Sequence, residues 1–284
     1  MEFLEALQSN PILFYAVIAG FLASICSGII GSYVVVKRIV FISGSIAHSV
    51  LGGIGVSVWL ERAKGVAWMS PLYGALAAGI ISALIIGWIH LHYRQREDTV
   101  IAAIWSIGMA IGVIFMSQTP GFNVELTSFL IGNILWVSPA NLMFLFILDI
   151  IVIGVVLLMH KRFLAVCFDD EQALLQGVNV NLIYLLLLSL IAITIVLLIY
   201  VVGIILVMTL LAIPAAIGNM ASSRLSFIMA IAVFLCALLS FTGIAASFYL
   251  DWPSGATIAL LAGGAYLLGM TLCNKERTPT KSSN

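Results

Sequence analysis

From Leu182 to Met208 the chain runs without a single charged residue, and comparable apolar runs recur along most of its length, separated by short clusters of charge. Runs of this length suit the hydrocarbon core of a bilayer, about 30 Å thick, which one helix of about 20 residues crosses. Backbone amides and carbonyls find no water there, so each crossing must be a helix or part of a closed barrel, and these runs lack the polar alternation of barrel strands. The composition agrees: 63% of residues are hydrophobic and only 24 of 284, 12 Lys plus Arg and 12 Asp plus Glu, carry a full charge. The expected fold is all-α, a polytopic transmembrane helix bundle of eight to nine spans forming a single membrane domain over residues 1–284.

At about 20 residues per crossing, spans fall near 12–36, 40–60, 71–93, 98–118, 139–160, 180–201, 203–220, 226–248 and 254–273. The stretch 180–220 is about twice what one pass accommodates, with Gly203 placed for a turn and Pro214 for a bend. Charge supports dividing it. With the N-terminus outside and the C-terminus cytoplasmic, Lys37, Arg38, Arg94, Arg96, Lys161, Arg162, Arg224, Lys275, Arg277 and Lys281 face the cytoplasm, leaving only Arg62 and Lys64 outside. A single crossing over 180–220 would erase that bias. Re-entrant pieces at 203–220 or 124–136 are the alternatives. Glu2 and Glu5, with no Lys or Arg before Lys37, do not form the basic start of a cleaved signal peptide, so the first span is expected to be retained. The location expected is the inner (plasma) membrane, with a polar tail at 274–284.

Several function classes are disfavoured. The chain has no net charge and no basic tract for nucleic acid. It contains no GxxxxGK[ST] phosphate loop, so an ATP-driven step requires a separate subunit. Cys26, Cys167, Cys236 and Cys273 are scattered singly and read as small core residues. No HExxH pair suggests an intramembrane protease, and buried acids are too few for an evident proton or sodium relay.

The informative residues are the polar ones inside spans, where a charge costs about 2.5–3.5 kcal/mol on insertion scales. His48 lies in FISGSIAHSVLGG, among serines and glycines that let helices approach closely. It reads either as a ligand for a divalent metal in transit or as a histidine hydrogen-bonded to a neighbouring helix. Asp149, midway along 139–160, is a weaker metal candidate, with a bundle-internal hydrogen bond as the alternative. His90, His92 and His160, beside basic residues at cytoplasmic ends, read as interfacial, as do Trp59, Trp68, Trp136 and Trp252 at the outer edge. The longest cytoplasmic connection, 163–179, contains DDEQALLQG, a short helix that Asp169 or Asp170 can cap and Gly177 can end.

Three ordered stretches carry a resemblance. VVVKRIVFISGSIAHSVLGG (34–53), EDTVIAAIWSIGMAIGVIFMS (97–117), and the set FDDEQALLQGVNV, VGIILVMTLLAIPAAIGNM and YLDWPSGATIALLAG resemble the permease subunit of metal-type ABC transporters, importers of zinc, manganese or iron, over roughly 12–270. The resemblance implies a non-enzymatic ABC importer permease that binds no cofactor itself and carries a divalent metal ion as substrate. It implies three partners besides membrane lipid: a cytoplasmic ABC ATPase that uses the ATP, an extracytoplasmic metal-binding protein, and a second permease copy, as a homodimer. It makes Asp169, Asp170, Glu171 and Gly177 part of the helix that couples to the ATPase, and places His48 on the metal path. Asp251, Pro253, Ser254 and Gly255 match an outer-edge turn. Family members commonly carry an Asp four residues before this histidine, one turn away on the same face. Here that residue is Gly44, which removes a hard anionic ligand and favours zinc over manganese. The alternative cargo is a larger organic molecule or metal chelate, which needs a wide apolar path.

Overall fold

The computed structural model describes residues 2–66, 68–93, 97–120, 134 and 137–276. Its helices are α1 (Glu2–Ser9), α2 (Pro11–Val36), α3 (Val40–Lys64), α4 (Pro71–His92), α5 (Glu97–Ser117), α6 (Pro139–Phe168), α7 (Asp170–Leu175), α8 (Val180–Val202), α9 (Ile204–Ala221), α10 (Leu225–Leu250) and α11 (Ser254–Glu276). Among the described residues, nine helices are long and apolar enough to cross a membrane. The expected re-entrant piece at 124–136 lies almost entirely outside the described residues, as do Arg94, Arg96, Trp136 and the tail beyond 276.

Residues 180–220 form two helices. Gly203, at φ 87°, separates α8 from α9, and α9 continues through Pro214. At 18 residues, α9 is about 27 Å long, close to the hydrocarbon thickness. Two boundaries run past the expected spans. Helix α6 continues through Phe168, so the first six residues of the connection expected at 163–179 are helical; Lys161 and Arg162 are exposed on its surface. Charge ends the apolar crossing there without ending the helix. Helix α3 likewise extends to Lys64 and stops at Gly65, whose φ of 71° gives the left-handed turn that closes it.

Helix α2 is the hub, packing against α6, α9 and α10. It can be central because many of its inward residues are small: Ala16, Ala19, Ala23, Ser24, Ser27, Gly28 and Gly31 are all buried. A Cβ at Gly31 would collide with the Leu211 carbonyl of α9, so these backbones are in contact. Ser24 and Ser32 donate to the carbonyls of Gly20 and Gly28, which satisfies their hydroxyls within α2 itself.

On the other side α3 packs on α4 and α5. Gly108 and Gly112 form a GxxxG pair on α5. A Cβ at Gly52 or Gly55 of α3 would lie 2.7 Å from the carbonyl oxygen of Gly108 or Gly112, respectively, and one at Gly108 would lie 2.5 Å from the Ser49 Cα. The contact begins one residue from His48. Helix α1, which the apolar runs do not reveal, folds along the bundle, with the buried Phe3 ring edge-on to Phe241 and Phe248 of α10.

Candidate functional site

His48 sits in the α3–α5 seam, two turns into α3, and is half-buried. Its ring stacks on Trp105 of α5, with centroids 4.2 Å apart and planes 12° from parallel. The Trp105 indole N–H is directed to the Met109 sulfur at 3.1 Å, which holds the indole along its own helix. The His48 Nδ1 is buried and meets no hydrogen-bond partner among the described residues. The hydrogen-bonded alternative therefore finds no partner at this nitrogen among the described residues. A buried nitrogen without a partner is costly unless something else occupies its lone pair or accepts its proton.

The hydroxyls around it are engaged. Ser43 and Ser49 donate to the carbonyls of Val40 and Ile46 in α3, and Ser45 donates across the seam to the Ile101 carbonyl at 3.0 Å. One turn before His48, a Cβ at Gly44 would meet the mobile end of Met208 at 3.3 Å and the Trp105 ring at 3.7 Å. Toward the start of both helices, Phe41, Asp98, Ile101, Ala102 and Trp105 line a cavity of about 290 Å³. Asp98 is therefore an acid on the same seam as His48. The sequence offered it only as part of the acidic start of a span, and Trp105 only as an unassigned aromatic.

Asp149 is elsewhere. It lies on α6, 3% exposed, in the seam with α2, where the Cys26 thiol and backbone N–H are its polar neighbours. No group of three or more His, Cys, Asp or Glu side chains is placed to hold a metal among the described residues. Among the described residues, the α3–α5 seam thus offers one unpartnered imidazole nitrogen.

At the other end of α6, Asp169 caps α7 by accepting from the backbone N–H groups of Glu171 and Gln172, both at 3.0 Å. Gly177, at φ 77°, ends the turn. Asp170 is turned back toward the bundle. Its two oxygens accept from the Lys37 ammonium at 2.8 and 2.9 Å, and Lys37 also donates to the Val166 carbonyl at 2.6 Å and lies 5.8 Å from the Tyr184 ring centroid. What α7 presents outward is Glu171 and Gln172 together with two leucines, Leu175 at 90% exposure and Leu174 at 60%. Lys37 begins the sharp turn between α2 and α3, in which Arg38 adopts φ 64°. The ion pair therefore joins α7 to the start of the helix carrying His48.

At the opposite edge Asp251 closes α10 in a left-handed conformation at φ 53°. Ser247 donates to the Trp252 carbonyl and Thr257 to that of Pro253, while Ser254 is buried at the start of α11. These contacts give 251–255 the geometry of a structural turn.

Comparison with known proteins places this architecture. The model of the ABC 3 transport family matches residues 9–273. A Chlamydia trachomatis protein named "Probable metal transport system membrane protein" is 50% identical over 272 residues, covering 96% of this chain and 92% of the relative. The manganese transport system membrane protein MntC of Listeria monocytogenes is 31% identical over 276 residues, covering 97% and 96%. Among solved structures, PsaBC from Streptococcus pneumoniae in complex with Fab superposes with a TM-score of 0.83 at 25% identity, covering 94% of each chain. The chain belongs to the ABC 3 transport family, the metal-type ABC transporters, as a multi-pass membrane permease subunit and not an enzyme.

Proposed function

We propose that this permease imports divalent metal ions, zinc foremost, and that His48 is the group the ion touches as it passes. The observation that carries the proposal is the buried, unpartnered Nδ1 of His48, held in the α3–α5 seam by a stacked tryptophan. Neutral imidazole suits zinc, and with Gly44 in place of a carboxylate no hard anionic oxygen stands one turn before His48; Asp98 is the acid nearer the start of the seam. A transport site must bind well enough to admit the ion and weakly enough to release it, which one or two ligands per subunit achieve. Manganese is the second reading, because relatives such as the Listeria protein are named for it. Asp149, in the α2–α6 seam, has no part in the proposed path.

The proposed partners are a second copy of this permease, an extracytoplasmic metal-binding protein and a cytoplasmic ATPase, with the N-terminus outside. In this reading α7 docks on the ATPase through exposed Leu174 and Leu175, while Asp169 and Asp170 give the helix its cap and its tie to Lys37. Closure of the ATPase pushes α7, and the ion pair carries the displacement to the α2–α3 turn.

The test is uptake of radiolabelled zinc and manganese in cells expressing the permease with its ATPase and binding protein, comparing wild type with His48→Ala. Zinc uptake is expected to fall by about tenfold or more, the scale on which losing a metal-site group acts. Unchanged transport of both metals removes His48 from the mechanism.

A further inference from the structure

The turn of α3 before His48 ends in Gly44, and the space beside that glycine is reached by a thioether from another helix. Helix α9 packs on α3, and Met208, its fifth residue, carries its terminal methyl to 3.3 Å from the position a Cβ on Gly44 would take. The Trp105 ring lies 3.7 Å from the same position and is the ring stacked on His48. Residues four apart on a helix have Cβ atoms about 5–6 Å apart, so the Met208 side chain ends within about one turn of the His48 ring.

Met208 is half-buried, and among the described residues no donor engages its sulfur, whereas the Met109 sulfur already accepts the Trp105 indole N–H. The adjacent hydroxyl on α9, that of Thr209, donates to the Ile205 carbonyl. The free lone pairs that α9 offers at this level by side chain are therefore those of the Met208 thioether. A thioether is soft and uncharged, suiting zinc and softer ions and serving manganese poorly. Its unbranched stem has three rotatable bonds, so the sulfur can swing toward an ion or away from it without a backbone shift.

We propose that Met208 determines the specificity of the metal path: its thioether joins the His48 imidazole on the passing ion, and this neutral nitrogen and sulfur pair admits zinc and softer cations over manganese. The inference rests on the reading of His48 as the group the ion touches, and adds that the second ligand comes from α9. An uncharged pair offsets none of the ion's charge, which keeps the contact weak enough for release.

The experiment uses the permease reconstituted in proteoliposomes with its ATPase and binding protein, comparing wild type, Met208→Leu and His48→Ala for uptake of radiolabelled zinc and manganese below saturation, and for inhibition of zinc uptake by cadmium. Leucine conserves the volume and removes only the sulfur, so the fold is kept. Met208→Leu is expected to lower zinc uptake about tenfold, the scale on which losing a metal-site group acts, to leave manganese uptake within about twofold, and to raise the cadmium needed for half-inhibition about tenfold. A packing role for Met208 moves both metals together; an equal fall in both, or an unchanged zinc-to-manganese ratio, overturns the proposal. Where His48→Ala is inactive and Met208→Leu keeps the wild-type ratio, the role of Met208 alone is lost; where His48→Ala transports both metals fully, the reading of His48 falls and this inference falls with it.

Discussion

The Lys37–Asp170 pair makes an unequal prediction for its two partners. The Lys37 side chain is 13% exposed and that of Asp170 43% exposed. Asp170→Ala strands an ammonium that is nearly out of water, left with the Val166 carbonyl and the Tyr184 face. Removing one partner of a buried pair costs about 3–5 kcal/mol, and partial access to water places this case near the bottom of that range, about 3 kcal/mol. Lys37→Met keeps the aliphatic stem and leaves a carboxylate that can turn into solvent. Its cost is that of a largely exposed pair, about 1 kcal/mol. With Lys37 gone, Asp170 has little left to stabilise, so the double variant is expected near the Lys37→Met value. A cycle on the full chain by thermal unfolding in detergent reads this directly. At about 2–4 °C per kcal/mol for chains of 150–250 residues, the expected falls are about 6–12 °C for Asp170→Ala and about 2–4 °C for Lys37→Met. A Lys37→Met variant as damaged as Asp170→Ala, or a double variant equal to the sum of the two, refutes the reasoning.

Three further outcomes are expected. Gly108→Val drives side-chain carbons into the Ser49 backbone of α3, so it is expected to cost upward of about 3 kcal/mol in detergent unfolding and to abolish uptake; a wild-type unfolding curve would refute the α3–α5 contact. Gly44→Asp meets only the movable end of Met208 and the Trp105 ring, so the fold is expected to tolerate it. The added carboxylate should raise manganese uptake relative to zinc in the radiolabel assay, and an unchanged ratio would mean that the ion does not pass this turn. Leu175→Ser is expected to weaken capture of the partner ATPase in a pull-down about tenfold, more than Glu171→Ala does, because an apolar residue 90% exposed in the free chain gains most from being covered. Equal effects of the two would sink the apolar docking face.

The nine spans were legible because hydrocarbon thickness fixes run length, and charge between runs is costly to hide. The helix of 170–175 was legible too, since Asp169 and Gly177 are local signals for its two ends. What escaped is nonlocal. Lys37 counted only as one more cytoplasmic cation, while its partner Asp170 lies 133 positions away. Trp105 looked like any span aromatic until α3 and α5 came close enough to stack it on His48. His160 read as interfacial by position, and only the fold brings the Tyr33 hydroxyl to its ring. Helix α1 escaped for a different reason: Phe3 is buried by α10, which no pattern within residues 2–9 discloses.

The glycine contact also constrains how a gate can work. At Gly52, Gly55, Gly108 and Gly112 the α3 and α5 backbones touch, so neither helix can rotate against the other without collision. The His48–Trp105 stack therefore travels with the pair as a unit, and a push at the α2–α3 turn displaces both helices together. Opening by separating His48 from Trp105 is disfavoured; the changing wall must be the one facing this pair. Helix α5 is the least buried of the nine spans among the described residues, 17% of its apolar window lying inside the chain, so most of its surface is left to lipid or to a second subunit. In the proposed homodimer the second copy would cover this face, and His48 of each subunit would become one of two across the shared axis. A passage between two rigid α3–α5 pairs needs only a change in their separation to bind and release an ion, which explains how so sparse a donor set can serve as a transport site.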